Sequence, residues 1–181
     1  MDLDEQTLIE RLKNPSTKNE AFREVVHLYK ERLYHQIRSL VFNHDDTDDI
    51  LQETFIKIFN NIDSFKQDSK LFSWLYRIAT NQALDFLKSK SRMQRVSTEE
   101  LNDLIIDQLY ADELFNGDEA EILLQKAINT LPEKQQLVFK MRYYQEIDYD
   151  SLSEILQTSV GALKASYHIA SKKIEEYLKD N

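Results

Sequence analysis

Four histidines and two pairs of adjacent aspartates are the residues of this chain best suited to metal ligation or proton transfer, and their spacing speaks against both. His27, His35, His44 and His168 show no ligand spacing with one another, whereas histidine–metal sites need close pairs. Asp45, Asp46, Asp48 and Asp49 crowd a predicted helix start, where the positive end of the helix dipole favours acids without any metal. The two glycines, Gly117 and Gly161, stand alone and cannot build a phosphate-cradling loop or a nucleophile elbow. The absence of cysteine excludes a disulfide framework, a thiolate metal site and a Cys nucleophile. The remaining side-chain chemistry is non-covalent. Lys70, Arg77, Lys88, Lys90 and Arg92 are interleaved with Phe72, Trp74, Tyr76 and Phe86. Cations follow phosphates, and unpaired bases stack on aromatic rings. Trp74, Leu75 and Ile78 have the spacing of a helix core instead, which leaves Phe72 and Tyr76 open between the two roles. The basic end at 88–92 also fits a solvated helix terminus.

Net charge is −9, which would oppose nucleic acid if it were spread evenly. It is not. Residues 1–93 carry 14 basic and 15 acidic side chains, and residues 121–181 carry 8 and 9, so each flank is near neutral. Residues 94–120 hold Arg95 against eight acids. Within the first flank, residues 66–95 hold seven bases against Asp68 and Asp85. The excess acid therefore belongs to one segment, and a basic surface next to it is not cancelled.

The elements that must position these residues read as helices. Two Gly, two Pro and no Val/Thr-rich alternation predict an all-α chain, and no apolar run approaches the ~20 residues of a membrane span. The acidic N-terminus has no targeting pattern, and with zero cysteines the expected location is cytoplasmic. A short helix is expected over 3–13, ended by Asn14-Pro15. A capping box at Thr17–Glu20 then opens a helix over about 18–42 whose stripe includes Phe22, Val25, Tyr29, Leu33, Ile37 and Leu40. The next helix turns Ile50, Leu51, Phe55, Ile58, Phe59 and Ile62 inward and leaves Asp48, Asp49, Gln52, Glu53 and Lys57 largely outside. A loop from 63 to 69 precedes a long helix over about 70–93. Residues 94–117 read as an acidic flexible linker with one fragile turn near 101–109. Helices are expected at about 118–129, from Pro132 as the first helical residue, at 149–156 and at 159–178. The division is two small helical domains, 1–93 and 118–181, joined by 94–117.

The last two helices have helix-turn-helix spacing, with Gln157-Thr158-Ser159 as the turn and Thr158 or Ser159 as the cap. In such motifs the second helix enters the major groove with its N-terminal residues on base edges. Three lysines and no acid between Ser159 and Ile174 leave phosphate approach unopposed. Spacing alone leaves an ordinary antiparallel helix pair equally open. Gln157 replaces a common helix-ending glycine, and the expectation is that it avoids a left-handed backbone.

Asp49-Ile50-Leu51-Gln52-Glu53-Thr54-Phe55 with Phe72-Ser73-Trp74-Leu75-Tyr76-Arg77-Ile78-Ala79-Thr80-Asn81 resembles region 2 of bacterial RNA polymerase sigma factors. Leu131-Pro132-Glu133-Lys134-Gln135-Gln136 through Ser159-Val160-Gly161-Ala162-Leu163-Lys164 resembles their region 4. With no further region between the two, the chain is similar to the extracytoplasmic-function (ECF) group of the sigma-70 family over about 18–179. The resemblance implies a promoter-recognition subunit, not an enzyme, with no cofactor. Its implied partners are core polymerase, through the β′ clamp coiled coil and the β flap, and promoter DNA. An anti-sigma factor is left open, and no membrane insertion is implied.

Position by position, the resemblance assigns polymerase docking to Asp49, Gln52 and Glu53. The loop from Asp63 to Lys70, with Phe65, Lys66 and Ser69, matches the segment that captures a base flipped from the −10 element. Phe72, Lys70, Arg77, Asn81, Lys88 and Arg92 complete the −10 set. The −35 set is Ser159, Lys164, Ser166, His168, Lys172 and Lys173. The family pattern usually has arginines at the positions of Ser166, Ile169 and Ser171. Losing those guanidinium forks leaves three outcomes open: a weak −35 contact, an unusual −35 sequence, or dependence on polymerase to hold the domain nearby. Two other functions compete. A free-standing operator-binding regulator would shift duplex DNA by itself, and an interaction module without DNA binding would be insensitive to salt.

Overall fold

The computed structural model describes residues 3–97, 100, 104 and 119–180 of the 181-residue chain. Among them there are eight α-helices and no strand. The helices are α1 (Leu3–Lys13), α2 (Lys18–Val41), α3 (His44–Asn61), α4 (Leu71–Gln94), α5 (Glu119–Asn129), α6 (Glu133–Tyr143), α7 (Tyr149–Leu156) and α8 (Val160–Asp180), with a 3-10 turn at Ile62–Ser64. The all-α expectation holds. The expected flexible linker and its turn near 101–109 fall largely outside the described residues.

Helices α2, α3 and α4 pack against one another, and α1 lies across α2 and the 3-10 turn. The apolar stripe of α2 buries Val25, Leu33, Ile37, Leu40 and Val41, while α3 buries Ile50, Leu51 and Ile58. Phe55 and Phe59 are only half-buried and meet Phe22 edge-on, with ring centroids 6.2 and 5.0 Å apart. Asn43 starts α3 by accepting a bond from the Asp46 N–H at 2.8 Å, a cap worth about 1 kcal/mol.

In the second half, α8 is the centre on which α5, α6 and α7 pack. Asp148 caps α7 by accepting from the backbone N–H and the hydroxyl of Ser151, both at 2.8 Å. The backbone bond from Ser151, foremost, holds its carboxyl below the usual carboxylate range. Helices α7 and α8 form the helix-turn-helix, with Ser159 as the cap of α8: its Oγ accepts from the Ala162 N–H at 3.4 Å.

Three local expectations change. Thr17 does not close a capping box. Its hydroxyl donates to the Arg11 carbonyl at 2.8 Å, and Glu20 turns toward the Arg11 guanidinium at 4.0 Å, because the end of α1 lies within reach. Pro132 is the cap before α6, with extended ψ of 144°, and not its first helical residue. Gln157 is left-handed, at φ 50° and ψ 45°, because the chain must reverse sharply into the turn. The N–H groups of Gln157 and Thr158 both return to the Ser153 carbonyl. Such a backbone costs a non-glycine residue about 1 kcal/mol.

The two halves touch. α4 packs on α7, and the end of α2 on α6. Leu137, Val138, Met141, Leu152, Ile155 and Leu163 join the same apolar cluster as the core of the first half. Gln36, fully buried in α2, donates to the Thr80 hydroxyl at 2.9 Å and accepts from the Gln145 amide of the second half. These paired amides tie both halves together through Gln36, while the buried Oε1 of Gln145 has no hydrogen-bond partner.

Candidate nucleic-acid interface

The 24 residues of α4 rise about 36 Å at 1.5 Å each, close to one helical turn of DNA. Counting about 100° per residue, Lys70 at its cap and Arg77, Asn81, Lys88 and Arg92 along it fall within about 60° of arc. One edge of the helix therefore carries four cations and an amide in file. Arg77 is half-buried and the rest are exposed. The file exists because the opposite edge is taken up by the core, through Leu75, Ala79 and Ala83.

Phe72 and Tyr76 lie on another face of the helix, and Trp74, which shares the arc of the file, is turned under it. Trp74 is buried against Phe65, with centroids 5.2 Å apart. Tyr76 is buried, donating to the Arg32 carbonyl at 3.3 Å, and burial raises its hydroxyl pKa above the ordinary value. Phe72 is half-buried under the Arg32 guanidinium at 4.8 Å and tilted against Tyr76 at 4.2 Å. Phe72 sits outside the cationic file.

The loop between the 3-10 turn and α4 is anchored by its apolar member. The Phe65 ring is 2% exposed, so it holds the loop from beneath rather than presenting a face. Lys66 is exposed and Ser69 half-exposed above it, and Gln67 takes a left-handed φ of 63°. Both Lys66 and Ser69, with Trp74 and Arg77, line a cleft of about 670 Å³ whose far wall is Glu154 and Gln157 to Ser159 of the helix-turn-helix. A second cleft of about 650 Å³ continues along Arg77, Asn81 and Lys88 toward Lys134 and Ser166. Glu154 reaches across, its carboxylate 3.4 Å from the Lys70 N–H. The cationic edge of α4 therefore faces the second half of the chain.

On α3 the acids divide. Asp46 pairs with Lys90 at 2.7 Å, and Asp48 lies 3.6 Å from His44. Asp49, Gln52 and Glu53 remain turned to solvent, as does Ile56, 61% exposed one turn further on. Sequence reading passed over Ile56, although a large apolar residue three and four positions after Glu53 and Gln52 shares their face.

On α8, Lys164, His168, Lys172 and Lys173 are exposed, and so is Ser159 just before it. Lys164 lies 5.6 Å from the Tyr149 ring centre. Ser166 is half-buried and faces α4 in the second cleft, apart from the outward residues. Ile169 is 45% exposed, and Ser171 spends its hydroxyl on the Tyr167 carbonyl at 2.9 Å. Among the described residues no group of three or more His, Asp or Glu gathers to hold a metal, and no helix is long and apolar enough to cross a membrane.

One buried charge lies between the halves. Lys140 of α6 is 3% exposed, and its ammonium sits 4.5 Å from the centre of the Phe42 ring at the end of α2. Burial lowers its pKa to about 7.

The family model for sigma-70 region 2 matches residues 25–93, and that for sigma-70 region 4 matches residues 121–174. The chain is 32% identical over 171 residues to the ECF RNA polymerase sigma factor SigW of Bacillus subtilis, spanning 89% of this chain and 90% of that protein. It is 28% identical over 184 residues to the ECF RNA polymerase sigma-E factor of Escherichia coli K12, spanning 96% and 93%. Among solved structures it resembles CnrH in complex with the cytosolic domain of CnrY, at a TM-score of 0.71 and 20% identity over 98% of both chains. It also resembles the sigma factor RpoE bound to the anti-sigma factor NepR from Bartonella quintana, at 0.64 and 21% identity, over 87% of this chain and 96% of that one. At these identities the two structures speak for the fold.

Proposed function

Because the chain belongs to the ECF group of the sigma-70 family, we propose that it binds core RNA polymerase and directs it to promoters, opening DNA at the −10 element and touching the −35 element. The observation that carries this reading is the file of Lys70, Arg77, Asn81, Lys88 and Arg92 along one edge of α4, beginning beside the loop of Lys66 and Ser69. A flipped base costs a few kcal/mol of unstacking, so a loop that receives it selects sequence and opens the duplex in one act. The cations then follow the phosphates of the same strand. Phe65 supports this surface from below, and Phe72, on another face of α4, has no place in it. Asp49, Gln52 and Glu53 dock on the β′ clamp coiled coil, and the second domain sits at the β flap. Ser159, Lys164, His168, Lys172 and Lys173 meet the −35 DNA, with Ser166 joining them only when the domains part. The work is binding, not catalysis.

The domains, 1–93 and 118–181, must separate for this. In the closed arrangement Glu154 and the helix-turn-helix turn occupy the ground over Lys66, Ser69 and Arg77 that the −10 strand needs. The acidic segment of about 24 residues reaches roughly 80 Å when extended, against about 70 Å for two turns of DNA. Docking on polymerase supplies the separation.

The test is the salt dependence of holoenzyme binding to a −10 single strand. Arg77→Ala and Lys88→Ala each lower affinity and reduce the slope of log K against log salt by about 0.7. An unchanged slope in both variants removes the file from the DNA path.

A further inference from the structure

Helix α1 lies before the matched regions, which begin at residue 25, yet it holds both ends of the loop between α3 and α4. Lys70 occupies the cap position of α4, and a lysine side chain has no acceptor to offer the free N–H groups there. Glu5, 66 residues away in the chain, accepts from the Leu71 N–H at 2.6 Å and so caps α4 from outside. At the other end of the loop, the Lys13 ammonium donates to the Phe65 carbonyl at 2.6 Å and lies 6.0 Å from the centre of the Phe65 ring. Lys18, just beyond α1, pairs with Asp63 at 3.3 Å. Helix α1 is itself fixed: Leu8, Ile9 and Leu12 are buried in the core. Only residues 66–70 are left between these pins, and they include Lys66 and Ser69, which face the cleft.

We propose that α1 is a clamp on the base-capturing loop, and that Glu5 and Lys13 are positioning residues that set how strictly the −10 base is chosen. This rests on the loop being the base-capturing segment, as proposed above. A contact that selects one base must hold its partners within fractions of an ångström, and a loop with loosened ends admits the other bases. Glu5 fixes where α4 begins, and hence where Ser69 and Lys70 stand. Lys13 fixes the carbonyl from which Lys66 departs. Neither residue needs to touch DNA.

The experiment uses reconstituted holoenzyme on a promoter and its single-base variants through the −10 element, comparing initiation rates. In the parent a wrong base at the captured position costs roughly 5- to 150-fold. Glu5→Ala and Lys13→Met each reduce that ratio severalfold while core affinity stays the same, and Lys13→Arg restores it. Rates that fall by one common factor on every promoter, or do not change, overturn the clamp. A loop variant, Lys66→Ala with Ser69→Ala, separates the two levels. If it flattens the preference while Glu5→Ala and Lys13→Met do not, α1 has no positioning role and the loop reading stands. If it leaves the preference intact, the loop reading falls and the clamp with it. Thermal melts accompany each variant. Should Glu5→Ala fail to fold, Lys13→Met tests the same clamp from the other end.

Discussion

Protonation of Lys140 should open the chain. Its ammonium is buried between the domains over Phe42, and burial lowers its pKa from 10.5 to about 7. Lys88 and Glu133, the other charged groups lining that cavity, are exposed and solvated. Once the domains part, Lys140 meets water and regains its ordinary pKa. A lysine with a depressed closed-state pKa favours the closed state only while it is neutral. The cost of charging it is absent above pH 10.5, grows as pH falls, and is complete below about 7. Between pH 9 and pH 7 this linkage weakens closure by about 2 kcal/mol, or roughly 30-fold in the ratio of open to closed chains. The chain has no cysteine, so single cysteines placed at the exposed positions Asn60 and Glu175 accept a donor–acceptor dye pair without competing thiols. Energy transfer should fall from pH 9 to pH 7 in the parent, and Lys140→Met should remove the dependence and leave the chain more closed. A parent ratio that ignores pH, or the same slope in Lys140→Met, refutes the reasoning.

Two further outcomes follow from local geometry. Gln157→Gly relieves the left-handed backbone at φ 50° and should stabilise the second domain by about 1 kcal/mol in urea unfolding, unless the Ser153 carbonyl bonds are lost. Gln52→Ala with Glu53→Ala should weaken core-polymerase binding at least tenfold, and Ile56→Ala should add to the loss, since truncating a central contact costs about 1–2 kcal/mol. Titration of labelled chain against core reads both, and unchanged affinity removes this face from the docking surface.

How much of this was legible in the sequence depends on distance along the chain. The set 70, 77, 81, 88 and 92 came from the family resemblance, and only the structure shows it in file, whereas the core stripes of α2 and α3 were read from the helical period itself. The turn before α8 was placed correctly, yet the backbone of Gln157 was not. A residue without glycine's freedom gave no sign that the Ser153 carbonyl would draw the chain into a left-handed turn. Thr17 and Glu20 had the right spacing for a capping box, but a competing acceptor and cation on α1 were closer. Glu5 on Leu71, Lys13 on Phe65, Gln145 on Gln36 and Glu154 on Lys70 join residues 52 to 109 positions apart. Periodicity carries no trace of such pairs. Phe65 read as a loop aromatic available to DNA, but its ring is buried against Trp74, a pairing nine residues apart that helical spacing does not reveal.

Every role proposed for these residues rests on the chain giving polymerase a promoter. Run-off transcription with core polymerase from a matched host, on genomic templates enriched by the reconstituted holoenzyme, tests it most directly. Transcripts of discrete length are expected that require the added chain and that fade when Arg77 and Lys88 are replaced by alanine. Core polymerase that binds the chain yet yields no chain-dependent transcript from any enriched template would contradict it.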